Sequence, residues 1–223
     1  MIPLKEFIES SPSCLLVRTD FKVDIAPIVD FFDSEISINK KTYQSKQYGG
    51  WSIQSNSGEI SDGWQAGGTA LTNGLTKEQL RQMFVYGNKF QNPTKLYQGP
   101  VEKLINDLTS KNFNPKRTRF AELEPHTEGP WHQDGSADIK RFGLWRSHIA
   151  VKTNPDALFQ FRSQDEKTIV SYHIPADGYL YLVNINQMHR IENKSDQSRI
   201  HIITDSAQPI KEFLVNVEPI LSL

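Results

Sequence analysis

His132-Gln133-Asp134 sets an imidazole and a carboxylate two residues apart. In an extended chain, positions i and i+2 point to the same side, so both groups can reach one point in the mouth of a barrel. A second imidazole, His189, opens a later β-like stretch after Asn186, Gln187 and Met188. Two His and one Asp form the donor set that holds a divalent iron on one face and leaves the opposite positions open for cosubstrate and oxygen. That pattern suits a catalytic site better than a structural one. A lone His-x-Asp often arises by chance, so its weight depends on the polar residues around it.

Arg199 supplies the first such residue. In Arg199-Ile200-His201-Ile202 the polar and apolar positions alternate, which puts Arg199 and His201 on one face of a strand and the isoleucines on the other. A guanidinium held inward needs an acceptor, and its planar fork suits bidentate recognition of a carboxylate. A dicarboxylate cosubstrate would meet that need, and so would a structural ion pair with Asp205 or Glu192. Arg146 and His148 repeat the i, i+2 spacing in Trp145-Arg146-Ser147-His148-Ile149. With Arg199 they could surround an acidic ligand near the metal; for His148 alone, a satisfied core histidine is the ordinary alternative.

These groups require a rigid β scaffold, and the second half of the chain reads as one. Strands are expected near 117–124, 131–134, 145–152, 157–162, 168–173, 179–184, 188–192 and 198–204, with turns at Asn154-Pro155-Asp156 and Ala176-Asp177-Gly178. Short strands so closely spaced predict two packed antiparallel sheets, a jelly roll of the cupin kind. The first half carries helical patterns. Val23 to Ile36 places Ile25, Ile28, Val29, Phe32 and Ile36 near one face, Thr76 opens a capping-box pattern with Gln79, and Pro100 starts a third pattern through Val101, Leu104, Ile105 and Leu108. The expected class is α+β. Residues 1–112 form an N-terminal helical part with a Gly-rich loop, packed on a double-stranded β-helix core over 113–223, one compact domain overall.

Composition narrows the function. Lys plus Arg number 25 against 26 Asp plus Glu, a net charge of −1, so there is no global pull toward nucleic acid or anionic lipid. The single cysteine, Cys14, excludes an intrachain disulfide and a cysteine zinc cluster, and favours a reducing compartment. Every apolar run is short, so a cytoplasmic chain with no membrane span is expected. The glycines between Gly49 and Gly74 lack phosphate-cradle spacing and are read as a lid or a surface connection, with Trp51, Trp64 and Gln65 as candidate contacts.

The motifs together resemble the aspartyl/asparaginyl β-hydroxylase family of Fe(II)- and 2-oxoglutarate-dependent oxygenases, which includes enzymes that hydroxylate free proline. The matching positions are Leu123 and Pro125, His132 and Asp134, Arg146, His148 and Ile149, His189 and Asn193, then Arg199 and Asp205. The resemblance covers about residues 116–206, and reaches the N-terminal part only through Tyr48-Gly49-Gly50-Trp51. It implies that His132, Asp134 and His189 bind Fe(II), that Arg199 pairs with the distal carboxylate of 2-oxoglutarate, and that Arg146 and His148 support the cosubstrate's other end or the substrate. His126 and Trp131 depart from the family's usual Gly after the proline and Pro before the first ligand. The presence of Asp134 places the chain with full-triad members and against a halide-accepting variant.

The expected reaction is hydroxylation of an amino-acid side chain, either free, as in proline, or as an Asp, Asn or Pro residue in a peptide or protein. 2-Oxoglutarate would be converted to succinate and CO2. A metal-binding or ligand-sensing cupin-like module without turnover is the competing expectation. Trp131, Trp51, Asn184 and His201 are the candidate substrate contacts, with His201 also suited to pack beside Arg199. His126 is expected to cap a turn, His173 to end a strand, and Lys111, Lys116, Arg117 and Arg119 to form a solvated basic face first and a contact for an acidic substrate second.

Overall fold

The computed structural model describes residues 1–10, 14–45, 47–60, 90–134 and 145–222. The helix expected from Thr76, the glycines from Gly63 to Gly74, and Trp64 and Gln65 lie outside the described residues. The strands are β1 (Ile2–Pro3), β2 (Cys14–Lys22), β3 (Tyr43–Gln44), β4 (Tyr48–Ser52), β5 (Gln54–Ser55), β6 (Asn92–Pro93), β7 (Pro115–Leu123) and β8 (Thr127–Glu128). They continue as β9 (Trp145–Lys152), β10 (Ala157–Arg162), β11 (Ile169–Tyr172), β12 (Tyr179–Asn184), β13 (His189–Asn193), β14 (Arg199–Ser206) and β15 (Asn216–Ser222).

Nine strands form one sheet in the order β1-β15-β2-β12-β9-β14-β7-β4-β3, and four form a second in the order β11-β10-β13-β8. Every pairing between adjacent strands of these sheets is antiparallel. This is the expected double-stranded β-helix. The residues before 113 contribute more than helices, however, because β2 lies inside the large sheet between β15 and β12, and β4 extends it beyond β7.

Alternation on the central strands assigns the two faces of the large sheet. Leu180, Leu182, Ile149, Val151, Ile200 and Ile202 join one buried cluster with Ile28, Phe32, Val101 and Leu104 of the helical layer. Tyr181, Val183 and Ala150 point the other way and meet Phe159 and Phe161 of the small sheet. The helices are therefore packed on one side. They are α1 (Leu4–Ser10), α2 (Ala26–Phe31) and α3 (Gly99–Ser110).

Each helix follows local chemistry. In α3, Pro100 occupies the first turn where a missing N–H costs nothing, and Val101, Leu104, Ile105 and Leu108 bury one stripe. It ends where Asn112 takes a left-handed φ of 61°. The helix expected over Val23 to Ile36 is α2 followed by a wider π-helical turn, Phe32–Ile36, closed by Ser37 N–H donating to Phe32 O at 2.8 Å. Phe32 and Ile36 are both buried in the helix-side core. Among the described residues no helix is long and apolar enough to cross a membrane.

The segment 131–134, expected as a strand, is only bridged. Gly129 N–H donates to Ile191 O at 2.8 Å, and His132 and His189 exchange two backbone bonds at 2.9 Å. Three steps along one chain thus match two along the other, which is a bulge. Pro130 lies within it, and a residue without an N–H cannot continue the ladder.

Candidate active site

The space between the sheets changes from apolar to polar toward one end. At its mouth the bulge brings His132 beside β13, and the His132 and His189 rings stand 4.3 Å apart. Asp134 N–H donates to Ile185 O at 2.9 Å, which fixes the third member of the group. Ligand atoms of His132, Asp134 and His189 all lie within 4.8 Å of one another, close enough to hold a metal ion.

The backbone leaves both imidazoles able to serve as ligands. His132 Nδ1 is 2.9 Å from Pro130 O and His189 Nδ1 is 2.8 Å from Gln187 O. Carbonyls only accept, so each Nδ1 carries the proton and each Nε2 presents its lone pair. Burial, with the neighbouring His132, pushes His189 down to about 4, so it is neutral at neutral pH.

Asp134 is held from behind. Arg146 Nη1 donates to Asp134 Oδ2 at 2.6 Å, while Asp134 Oδ1 faces His132 Nε2 at 3.9 Å. Burial opposes the Asp134 charge, but Arg146, His189 and His132 outweigh it and hold its carboxyl below the usual range. Arg146 Nε also donates to Asp205 Oδ1 at 2.9 Å. Burial likewise opposes the Asp205 charge, and Arg146, Arg117 and Arg119 hold that carboxyl well below the ordinary range. Arg146, expected at the cosubstrate, therefore ties the Asp134 carboxylate to a buried acid on β14. Its geometry differs from expectation because Asp134 and Asp205 flank it at bonding distance.

Arg199 is different. It is 2% exposed and pairs with neither Asp205 nor Glu192; Asp205 binds Arg146, and Glu192 binds Lys194 at 3.1 Å. Its guanidinium carbon lies 5.3 Å from the centre of the Phe159 ring, and Nε and Nη1 have no hydrogen-bond partner among the described residues. His148 Nδ1 and both ring nitrogens of His201 are buried and equally without partners. The two rings are 5.8 Å apart, and burial followed by the Arg199 charge pushes both imidazoles well below their ordinary values. Burial brings Arg199 down only to about 10, so it remains a cation. A buried cation beside neutral nitrogens that lack bonds is costly unless a polar ligand arrives. A dicarboxylate fits that demand, and the His-Asp-His donors fit ferrous iron.

Three of the expected substrate contacts lie elsewhere. Trp51 belongs to the helix-side core, edge-on to Phe32 at 5.3 Å, with Nε1 donating to Asn39 O. Tyr48 and Gly50, not Trp51, alternate toward the site. Asn184 also faces the helical layer, where Nδ2 donates to Cys14 O at 3.0 Å and Oδ1 accepts from Asn186 N–H. Trp131 precedes an inward His132 on an extended segment and so points to the opposite side of the small sheet, where it meets Arg162 and Arg190. Only His201 of the four lies beside Arg199 on the inner face.

The basic cluster is not a solvated face. Lys116, Arg117 and Arg119 are buried, because a bulge between the β14 partners of Arg119 and Lys116 puts Arg117 at a φ of 56° and turns it toward Asp205. Lys111 alone is exposed. His126 sits in a turn, paired with Asp196 at 2.7 Å. Tyr48, which the sequence singles out only within Tyr48-Gly49-Gly50-Trp51, reaches so far toward the small sheet that a Cβ on Gly129 would lie 2.1 Å from its hydroxyl oxygen. Alternation through Gly50 was the available signal.

A family model described as aspartyl/asparaginyl β-hydroxylase matches residues 72–209. The chain belongs to that family. Its members are Fe(II)- and 2-oxoglutarate-dependent oxygenases, and this chain is an enzyme of that class, with those two cofactors.

Solved structures with a similar course of chain include an oxidoreductase of the 2OG-Fe(II) oxygenase family from Burkholderia pseudomallei (10% identity, 92% of this chain and 89% of that one, TM-score 0.49). HygX from Streptomyces hygroscopicus with nickel and 2-oxoglutarate bound is another (8%, 89% and 85%, 0.49). A Pseudomonas putida prolyl-4-hydroxylase is a third (8%, 90% and 96%, 0.44). No curated protein matches the chain.

Proposed function

We propose that this oxygenase hydroxylates an amino-acid side chain, either of a free amino acid such as proline or of an Asp, Asn or Pro residue in a peptide or protein, with release of succinate and CO2. His132, Asp134 and His189 would hold Fe(II), and Arg199 would grip the distal carboxylate of 2-oxoglutarate. Together, iron and 2-oxoglutarate supply the activation of dioxygen that the protein's own side chains lack.

The chain's residues do the positioning. The carbonyls of Pro130 and Gln187 fix the tautomers of the two ligand imidazoles. Arg146 occupies Oδ2 of Asp134 and so directs Oδ1 toward the histidines. His148 and His201, both neutral, can donate or accept without adding charge beside Arg199. The observation that carries this reading is the pairing of a convergent His-Asp-His group with a buried guanidinium whose Nε and Nη1 have no hydrogen-bond partner among the described residues.

Purified protein supplied with Fe(II), 2-oxoglutarate, oxygen and a panel of amino acids and short peptides should form succinate and a product one oxygen atom heavier. The effect should vanish with His132→Ala or Asp134→Ala. Failure to bind metal and 2-oxoglutarate would defeat the proposal. Bound metal and cosubstrate without oxygen uptake on any substrate would favour a sensing module.

A further inference from the structure

We infer that Trp131 is a positioning residue for His132, acting from the opposite side of the small sheet through stacking on Arg162 and Arg190. This rests on His132 being a metal ligand. The bulge interrupts the ladder between Gly129 and His132: among the described residues, the segment's N–H bonds to other backbone are those of Gly129 to Ile191 O, His132 to His189 O and Asp134 to Ile185 O. Pro130 has no N–H to give. The paired backbone bonds between His132 and His189 set the height of the segment, but the His132 side chain is 43% exposed and its backbone anchor is the Pro130 carbonyl inside the bulge, so the aim of the imidazole depends on its neighbours.

The indole next to it is fixed. The guanidinium carbons of Arg162 and Arg190 lie 4.9 and 4.6 Å from the centre of the Trp131 ring. Both cations are themselves anchored to β structure or to the turn beyond it. Arg190 Nε donates to Gln160 Oε1 at 2.6 Å, and its Nη1 is ion-paired with Glu128 just before the bulge. Arg162 pairs with Glu166 at 3.3 Å. Because Trp131 and His132 point to opposite sides of one short segment, clamping the indole sets the twist of the peptide between them and hence the aim of the imidazole. The residue thus acts through His132, from the side of the small sheet that carries Arg162 and Arg190.

Titration of Mn(II) into the full-length protein, followed by the EPR signal of the free ion, tests this independently of turnover. Removal of groups that orient metal ligands typically lowers affinity about 10–100-fold, and Trp131→Ala should fall in that range. Trp131→Phe, which keeps a ring for the arginines, should recover most of the loss. Val101→Ala, a cavity in the α3 core, should lower the melting temperature yet leave Mn(II) affinity unchanged. Wild-type affinity in Trp131→Ala would overturn the inference. If that variant does not fold, the pair Arg162→Met with Arg190→Met takes its place, and wild-type affinity there would overturn it equally. Should wild type and His189→Ala bind Mn(II) alike, it is the metal assignment that fails, whatever Trp131 does.

Discussion

Asp205 is the residue on which the inner charges depend. It is buried, bonded to Arg146 and faced by Arg117, and its carboxyl titrates well below its ordinary value. Removing one partner of a buried ion pair strands the other and typically costs about 3–5 kcal/mol, so Asp205→Asn should be destabilised by that order in chemical denaturation at neutral pH. The sign of the pH effect follows from the depressed folded value. The Asp205 contribution is complete above the unfolded carboxyl value of about 3.9 and is lost as pH falls through the folded one. Wild type should therefore lose stability on acidification below about pH 4, and Asp205→Asn should lose less over the same window. Arg199 gives the complementary prediction. Truncating one half of a buried, hydrogen-bonded charge pair costs about 2–5 kcal/mol, so Arg199→Ala should weaken 2-oxoglutarate binding by roughly 30-fold or more. Calorimetry on Mn(II)-loaded protein should show that loss with metal affinity retained. The polar pattern of this face was legible in the sequence, since His132, Asp134, His148, His189 and Arg199 stand where period-2 alternation puts them. The true partner of Arg146 was not legible, because it depends on how β9 and β14 align, a register no spacing within one strand contains.

At the level of elements, β4 shows how one short strand serves two layers. Its Trp51 fills the helix-side core, so Trp51→Ala should cost about 3–5 kcal/mol in denaturant unfolding. Its Gly50 lets Tyr43 and β7 close in: an added Cβ would stand 2.7 Å from Phe120 O and 2.6 Å from Tyr43 Cε1. A backbone oxygen cannot turn aside, so Gly50→Ala should destabilise by about 1–3 kcal/mol, measurable in the same assay. The strands over 145–152, 157–162 and 179–184 were read with the bounds the structure has, because both of their faces carry clear alternation. β2 and β15 were not. β2 begins with a continuous apolar run, Leu15-Leu16-Val17, that is buried throughout and has no period to detect. β15 contains Pro219, which argues against a central strand; it is tolerated because only the two residues of β1 lie outside β15. The bulges at Pro130-Trp131 and at Arg117 carry no sequence signal of their own, and the second turns Arg117 toward Asp205.

For the whole molecule, one face of the large sheet is closed by helices and the other by the small sheet, and the polar mouth lies between the sheets. The cost of that design is a set of buried nitrogens on Arg199, His148 and His201 that have no partner among the described residues. A ligand that binds the folded state and completes those bonds must stabilise it. At a ligand concentration about 100 times its dissociation constant the gain is about 2.7 kcal/mol, or roughly 5–11 °C in melting temperature for a chain of this size. Adding 2-oxoglutarate to Mn(II)-loaded protein under nitrogen should produce such a shift beyond that of Mn(II) alone, and this increment should be largely absent in Arg199→Ala.

The central claim is that His132, Asp134 and His189 share one ion. Anomalous scattering from a Mn(II)-soaked crystal tests it most directly. The account predicts a single strong peak bonded to Nε2 of His132, Nε2 of His189 and a carboxylate oxygen of Asp134. A well-ordered crystal with no peak there, or with the manganese bound at other residues, would contradict it.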